Sequence, residues 1–269
     1  MSLENLTGGD AKEPSKLTTL KEILGQEIPQ TSSLFRTRPA EFDENEKVQE
    51  VSQASPEPPS SALSPAARIA RNMEVYFHNP WAMIQDGVIY THDDVDMLNP
   101  VKRFPNEPWL ECIVNKWLNH PLNLVPKSRR MKMSWLMVFL HTHLAMFNEG
   151  VSVYFVSSKE EKSDELVDRA EFILKYIPDE VMLKPRYKRT FCYLEFPGLN
   201  SFIHGIPMGA DQLRQYTGTA LLFDEFAFWE KARETYMAAI PTIQGGGRLT
   251  AISSAQASFF KDLVFDEMR

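Results

Sequence analysis

Three short stretches of this 269-residue sequence carry side chains able to act on a polyphosphate. The first is Lys127-Ser128-Arg129-Arg130-Met131-Lys132-Met133-Ser134, set between a short apolar run and a strongly helical segment. A loop joining a strand to a helix is where nucleotide hydrolases cradle phosphate. Backbone N–H groups and the helix dipole face the anion, a lysine neutralises it, and a hydroxyl serves magnesium. Counting GxxxxGK[ST] back from Ser134 puts Met133 in the lysine place and Lys132 and Lys127 in the two glycine places, so the standard motif is not met. What survives is a helix N-terminus and a dense positive field from Lys127, Arg129, Arg130 and Lys132. A basic surface turn is the alternative reading.

The second stretch, Thr219-Ala-Leu-Leu-Phe-Asp224-Glu225-Phe226, is an apolar run ending in adjacent acids. It fits a buried strand whose C-terminal edge, the ligand-binding edge of open parallel sheets, presents two carboxylates. Asp224 could hold Mg²⁺ and Glu225 could orient and activate a water for in-line attack on a γ-phosphate. A strand meeting a solvated turn gives the same pattern. The third stretch, Leu249-Thr-Ala-Ile-Ser253-Ser254-Ala255, ends in hydroxyls that could report the γ-phosphate, or simply close an ordinary strand. Their order along the chain is that of an additional-strand ATPase core, with about 90 residues from Ser134 to Asp224 for intervening elements.

The elements around these stretches alternate. Helical spacing over 107–118 (Trp109, Leu110, Ile113, Val114 and Trp117), 134–148 and 160–176 is interleaved with apolar strands at 122–125, 151–157, 220–223 and 249–253. Residues 191–196 and 201–205 flank Pro197-Gly198-Leu199-Asn200 and predict a hairpin. Strands separated by helices indicate a mostly parallel, three-layer α/β sheet. Val138, Phe139, Leu140, Leu144, Met146 and Phe147 are expected in its core, and His141 and His143 as packing or surface residues. Residues 1–65 hold 11 acidic and 6 basic side chains and seven of the 18 prolines, without a sustained apolar pattern beyond a possible short helix near 17–24. They are expected to be a disordered tail, with the folded unit over 66–269.

Composition excludes several classes. Two cysteines, Cys112 and Cys192, are too few for a disulfide framework or a cysteine-based zinc site, and no HExxH-type histidine pair occurs. No run of about 18 apolar residues and no charged-then-apolar leader is present, so neither a membrane span nor a signal peptide is expected. Of the net charge of −7, residues 1–65 account for −5, leaving the remainder near neutral.

From about residue 70 to 260 the chain resembles the ATPase domain of large terminase subunits, the DNA-packaging motors of tailed phages. KSRRMKMS resembles their deviant phosphate loops, in which the lysine moves to the front; LLFDEFAFW resembles the acid strand, and AISSA the coupling motif. The resemblance implies a RecA-like, additional-strand P-loop NTPase that uses ATP and Mg²⁺. It implies nucleotide binding by the loop from Lys127 through Ser128, Arg129, Arg130, Met131, Lys132 and Met133 to Ser134. Lys127 would be the nucleotide lysine, with Lys132 as the alternative. Magnesium would fall to Ser134 and Asp224, catalysis to Glu225, and coupling to Ser253 and Ser254. RFPNEPWLECIVNKWL is similar to the aromatic segment that holds adenine, which leaves Phe104, Pro105 and Trp109 as base contacts. Asp211-Gln-Leu-Arg214-Gln-Tyr216 is similar to the arginine stretch before the acid strand; Arg214, or Arg248, would be the finger.

The implied partners are double-stranded DNA, a portal protein, a small terminase subunit and further copies in a ring on the procapsid. No membrane is involved, and the setting would be the bacterial host cytoplasm. Large terminases also carry a nuclease domain, for which the length after Ser254 leaves no room. A fragment, a truncated product or one member of a split pair is therefore expected, without nuclease activity. Lys184, Arg186, Lys188 and Arg189 form a basic cluster that could contact a DNA backbone or face solvent. Two rivals are a non-catalytic remnant that binds nucleotide or partners, favoured by the missing glycines, and a helicase-like nucleic-acid-dependent ATPase.

Overall fold

A computed structural model describes residues 64–216 and 218–265. Most of the expected tail, with the short helix near residues 17–24, lies outside the described residues. Ser64 opens the structure by accepting a hydrogen bond from the Ala67 N–H and capping α1 (Pro65–His78). Asn79 does the same for α2 (Pro80–Gln85), accepting from the Trp81 N–H. Both helices start with proline, whose missing N–H costs nothing in a first turn. A small antiparallel hairpin follows, β1 (Tyr90–His92) and β2 (Val101–Arg103), then α3 (Pro108–Asn119).

The remaining elements build one seven-stranded sheet in the order β3-β9-β8-β4-β7-β6-β5. Strands β3 (Leu122–Lys127), β4 (Ser152–Ser157), β7 (Ser201–Pro207), β8 (Ala220–Asp224) and β9 (Arg248–Ser254) run parallel. The expected hairpin is there as β6 (Tyr193–Phe196) with β7, but β7 also pairs in parallel with β4. A further strand, β5 (Lys188–Thr190), extends β6. The registers Lys127↔Ser254, Asp224↔Ile252 and Val156↔Phe223 bring the C-terminal ends of four strands to a common edge.

Alternation along the strands divides the core. Val153, Phe155, Leu222 and Ile252 face α1–α3, α4 (Met133–Phe147) and α5 (Glu160–Tyr176). Tyr154, Val156, Phe223 and Ala251 face α6 (Ala210–Arg214), α7 (Ala232–Gln244) and α8 (Phe259–Val264). This is the three-layer α/β arrangement that the alternation of elements predicts.

Helix α4 lies inside its layer and is buried on almost every side, including the six apolar residues expected in the core. Its histidines are core residues as well. A carbonyl can only accept, so His141 donates from Nδ1 to Met137 O, and His143 from Nε2 to Tyr76 O, at 2.8 and 2.6 Å. Burial pushes both imidazoles down to about 4, and they are neutral in the fold. On α3 the buried stripe is Leu110, Val114 and Trp117; Trp109, expected in it, is 40% exposed.

Candidate functional site

The parallel strands end where the three chemical stretches begin. β3 delivers Lys127 as its last residue, and its ladder with β9 carries it two residues past the apolar run, through Pro126. The loop then bends back on itself: the Ser128 N–H points to Met131 Sδ at 3.3 Å, while Arg129 and Arg130 are exposed. Arg130 (φ 66°) and Lys132 (φ 55°) take the left-handed backbone conformation that costs a residue bearing Cβ about 1–2 kcal/mol. Lys132 holds a glycine place of the standard spacing, so the loop keeps the glycine geometry without the glycine. Its Nζ donates to the carbonyl of His92 in β1 at 2.8 Å, tying the hairpin to the loop. Met133, in the standard lysine place, is buried.

Ser134 lies in the first turn of α4 and donates from Oγ to Asp224 Oδ1 at 2.9 Å. The Trp229 indole N–H is bonded to the Asp224 carbonyl at 3.0 Å and fixes the turn that follows the strand. Burial raises the Asp224 carboxyl above its ordinary range, opposed by Arg169, Lys127 and the Ser134 hydroxyl. Glu225 sits in the left-handed region (φ 51°, ψ 42°), which turns its side chain out of the strand's alternation. Its Oε1 accepts from Lys127 Nζ at 2.6 Å, and its Oε2 accepts from the Ser254 N–H at 3.3 Å. Burial acts on Glu225 in the upward direction too, but Lys127 and Ser254 outweigh it and hold the carboxyl below its usual range.

Ser253 bridges the acid turn: its Oγ accepts from the Ala227 N–H at 3.0 Å and lies 3.5 Å from Glu225 Oε2. The structure therefore brings Lys127, Ser134, Asp224, Glu225, Ser253 and Ser254 together at one sheet edge. Hydroxyl, carboxylate and ammonium groups at this spacing can hold a polyphosphate, a hard divalent cation and a polarised water.

Other expected residues are placed elsewhere. Arg214 ends the short α6, is exposed, and pairs with Asp211 at 3.2 Å. Arg248, weighed as a finger, starts β9 and so lies at the opposite end of that strand from Ser253 and Ser254. It is buried, stacked 4.0 Å from the Trp117 ring centroid, and donates to the carbonyls of Trp117, Leu118 and His120 that end α3. Its charge caps a helix C-terminus, a structural task. Phe104 is buried in the core and cannot stack on a base, whereas Trp109 is exposed. In the basic cluster Lys184 pairs with Asp179, Lys188 with Glu195, and Arg189 with Asp164 and Asp168, so acids compensate most of its field. The motifs do not contain Arg169, which α5 brings near Trp135 and whose charge reaches Asp224.

β9 lies between the strand that leads into the basic loop and the strand that ends in the acids. That inserted strand, in a mostly parallel sheet covered on both faces, defines the RecA-like, additional-strand class of P-loop NTPase folds. Within the class, the chain has the fold of the large terminase ATPase domain. It aligns with the crystal structure of the HK97 bacteriophage large terminase at a TM-score of 0.52 and 10% identity, over 70% of this chain and 41% of that one. An ATPase-domain mutant of the Thermus phage P74-26 large terminase aligns at 0.43 and 11% identity, over 59% and 69% of the two chains. The same domain in another structure gives 0.39 and 13%, over 53% and 63%. No family model and no curated protein sequence matches the chain.

Proposed function

We propose that this chain is a magnesium-dependent ATPase of the large terminase kind, whose turnover drives double-stranded viral DNA into a procapsid. The observation that carries the reading is the paired contact of Lys127 with Glu225 and Ser134 with Asp224 at the edge of a terminase-like sheet. Ser134 Oγ and Asp224 Oδ1 are hard oxygens 2.9 Å apart, a donor set that suits hydrated Mg²⁺. The ion, when bound, neutralises charge on the β- and γ-phosphates.

The protein's own groups do the rest. The β3–α4 loop, residues 127–134, wraps the phosphates, and Lys127 turns from Glu225 to the phosphate oxygens. That exchange releases Oε1 of Glu225 and removes the cation that keeps this carboxylate a weak base. Glu225 then orients a water in line and accepts its proton. Ser253 and Ser254, both in contact with Glu225, sense its departure from Lys127 and pass the change into β9. Arg214, exposed at the end of α6, reaches the site of a neighbouring copy in a ring. The portal, a small terminase subunit and duplex DNA are the partners of this reading, in the host cytoplasm.

The side chains at the loop's glycine places favour a second reading, a remnant that binds nucleotide without turnover. Glu225→Gln decides between them. The variant is expected to keep ATP affinity within about tenfold, about 1.4 kcal/mol, while losing most hydrolysis. Equal turnover in variant and parent removes Glu225 from its role. No magnesium-dependent turnover in the parent, with or without DNA, establishes the remnant.

A further inference from the structure

Helix α5 supplies a cation on the Asp224 side of the site. The Arg169 guanidinium carbon lies 5.6 Å from the centroid of the Trp135 ring, and Trp135 directly follows Ser134 at the start of α4. Phe172, one turn beyond Arg169 on α5, meets Trp135 edge-on at 5.3 Å and 71°. The ring is thereby braced and forms a shelf for the guanidinium. Such a shelf leaves the planar edge of the fork, which carries its N–H donors, available to an anion.

The two lysines of the loop are engaged, Lys127 with Glu225 and Lys132 with the His92 carbonyl, and Arg129 and Arg130 are exposed at its tip. Among the described residues no acceptor or carboxylate closes on Arg169, which is half-buried. Its guanidinium thus stays open to an incoming anion, held on the Trp135 ring next to Ser134. The two acids divide the cations between them. Lys127 serves Glu225 on the β9 side, while Arg169 stands on the α4 side, against the ring that follows Ser134.

We infer that Arg169 is a phosphate-binding cation acting in cis, which closes on the γ-phosphate of the nucleotide held by the β3–α4 loop. The inference rests on the nucleotide reading above and adds a contact that distinguishes a triphosphate from a diphosphate. A planar fork can take two γ-phosphate oxygens at once, which an ammonium cannot, so Lys at this position is not equivalent.

The test titrates the full-length parent, Arg169→Gln and Arg169→Lys with Mg·ATPγS and with Mg·ADP by calorimetry, and follows hydrolysis of ATP in parallel. Arg169→Gln is expected to weaken ATPγS by about tenfold or more while ADP stays within about threefold, and to slow turnover by about 100-fold or more. Arg169→Lys, which keeps the charge and spares the fold, is expected to show a smaller loss confined to ATPγS. Unchanged ATPγS affinity in both variants, or equal losses for the two nucleotides, overturns the role of Arg169 and leaves the nucleotide site standing. A parent that binds neither nucleotide overturns the nucleotide reading, and this inference with it.

Discussion

Lys132 offers a way to weigh the backbone of the β3–α4 loop separately from its charge. Its φ of 55° is left-handed, and its Nζ reaches His92 O at 2.8 Å. Lys132→Ala and Lys132→Gly both delete the hydrogen bond, so the bond cancels when the two variants are compared. What remains is the left-handed penalty of about 1–2 kcal/mol, which alanine keeps and glycine escapes. Against it stands the extra freedom that glycine gives the unfolded chain, about 0.4–1 kcal/mol. The glycine variant should be the more stable of the two by about 0.5–1 kcal/mol, a rise in Tm of roughly 1–4 °C for a domain near this size. Calorimetric melting of the two variants side by side reads the difference. An alanine variant that melts at or above the glycine variant would refute the claim that this loop holds a glycine-type conformation.

Three further outcomes follow from the packing. His141 and His143 are neutral in the fold, with folded values near 4 against 6.5 for the free side chain. The unfolded chain therefore binds more protons below pH 6.5. Stability is complete above that value and falls toward pH 4 by about 1.4 kcal/mol per pH unit for each histidine. Urea midpoints at pH 7.5 and pH 5 should differ accordingly, and His141→Gln should flatten the slope; coincident midpoints would count against buried neutral imidazoles. A Cβ built on Gly205 in β7 comes within 2.9 Å of Ser163 O in α5, so Gly205→Ala should cost about 1–3 kcal/mol. It should also weaken the Ser163 Oγ–Ile206 O bond of 2.7 Å, and an alanine variant with the parent's denaturation midpoint would contradict this close approach. Arg248→Leu should destabilise the fold by more than 1 kcal/mol, since it strips charged donors from the carbonyls ending α3. Unchanged melting of that variant would return Arg248 to the list of functional arginines.

Much of the sheet was legible because its strands are short apolar runs bounded by helices of clear period. The strand ends were less so. Pro126 and Lys127 are poor strand formers, and only the ladder to β9 keeps them extended. β1 and β2, three residues each, have no alternation to read, and β5 resembles a charged turn because its cations meet their acids, Glu195 across the ladder and Asp164 and Asp168 on α5, only in the folded sheet. The three chemical stretches announced themselves through order and residue type. Arg248 carried a usable signal that composition hides: it stands at the N-terminal end of its strand, away from the edge where the acids gather. Arg169 carried none, for its relation to Asp224 exists only once α5 is laid beside α4.

Strand β9, inserted between β3 and β8, has its two tips assigned to different work. One tip, at Ser253, touches the acid turn; the other, at Arg248, grips the end of α3, roughly 17 Å away along the extended chain. Ladders on both flanks lock the register of this strand to β3 and β8, so its two tips keep one fixed relation. The acid turn and the end of α3 are therefore tied to one rigid element, and a change in the seating of either is a change in the seating of β9.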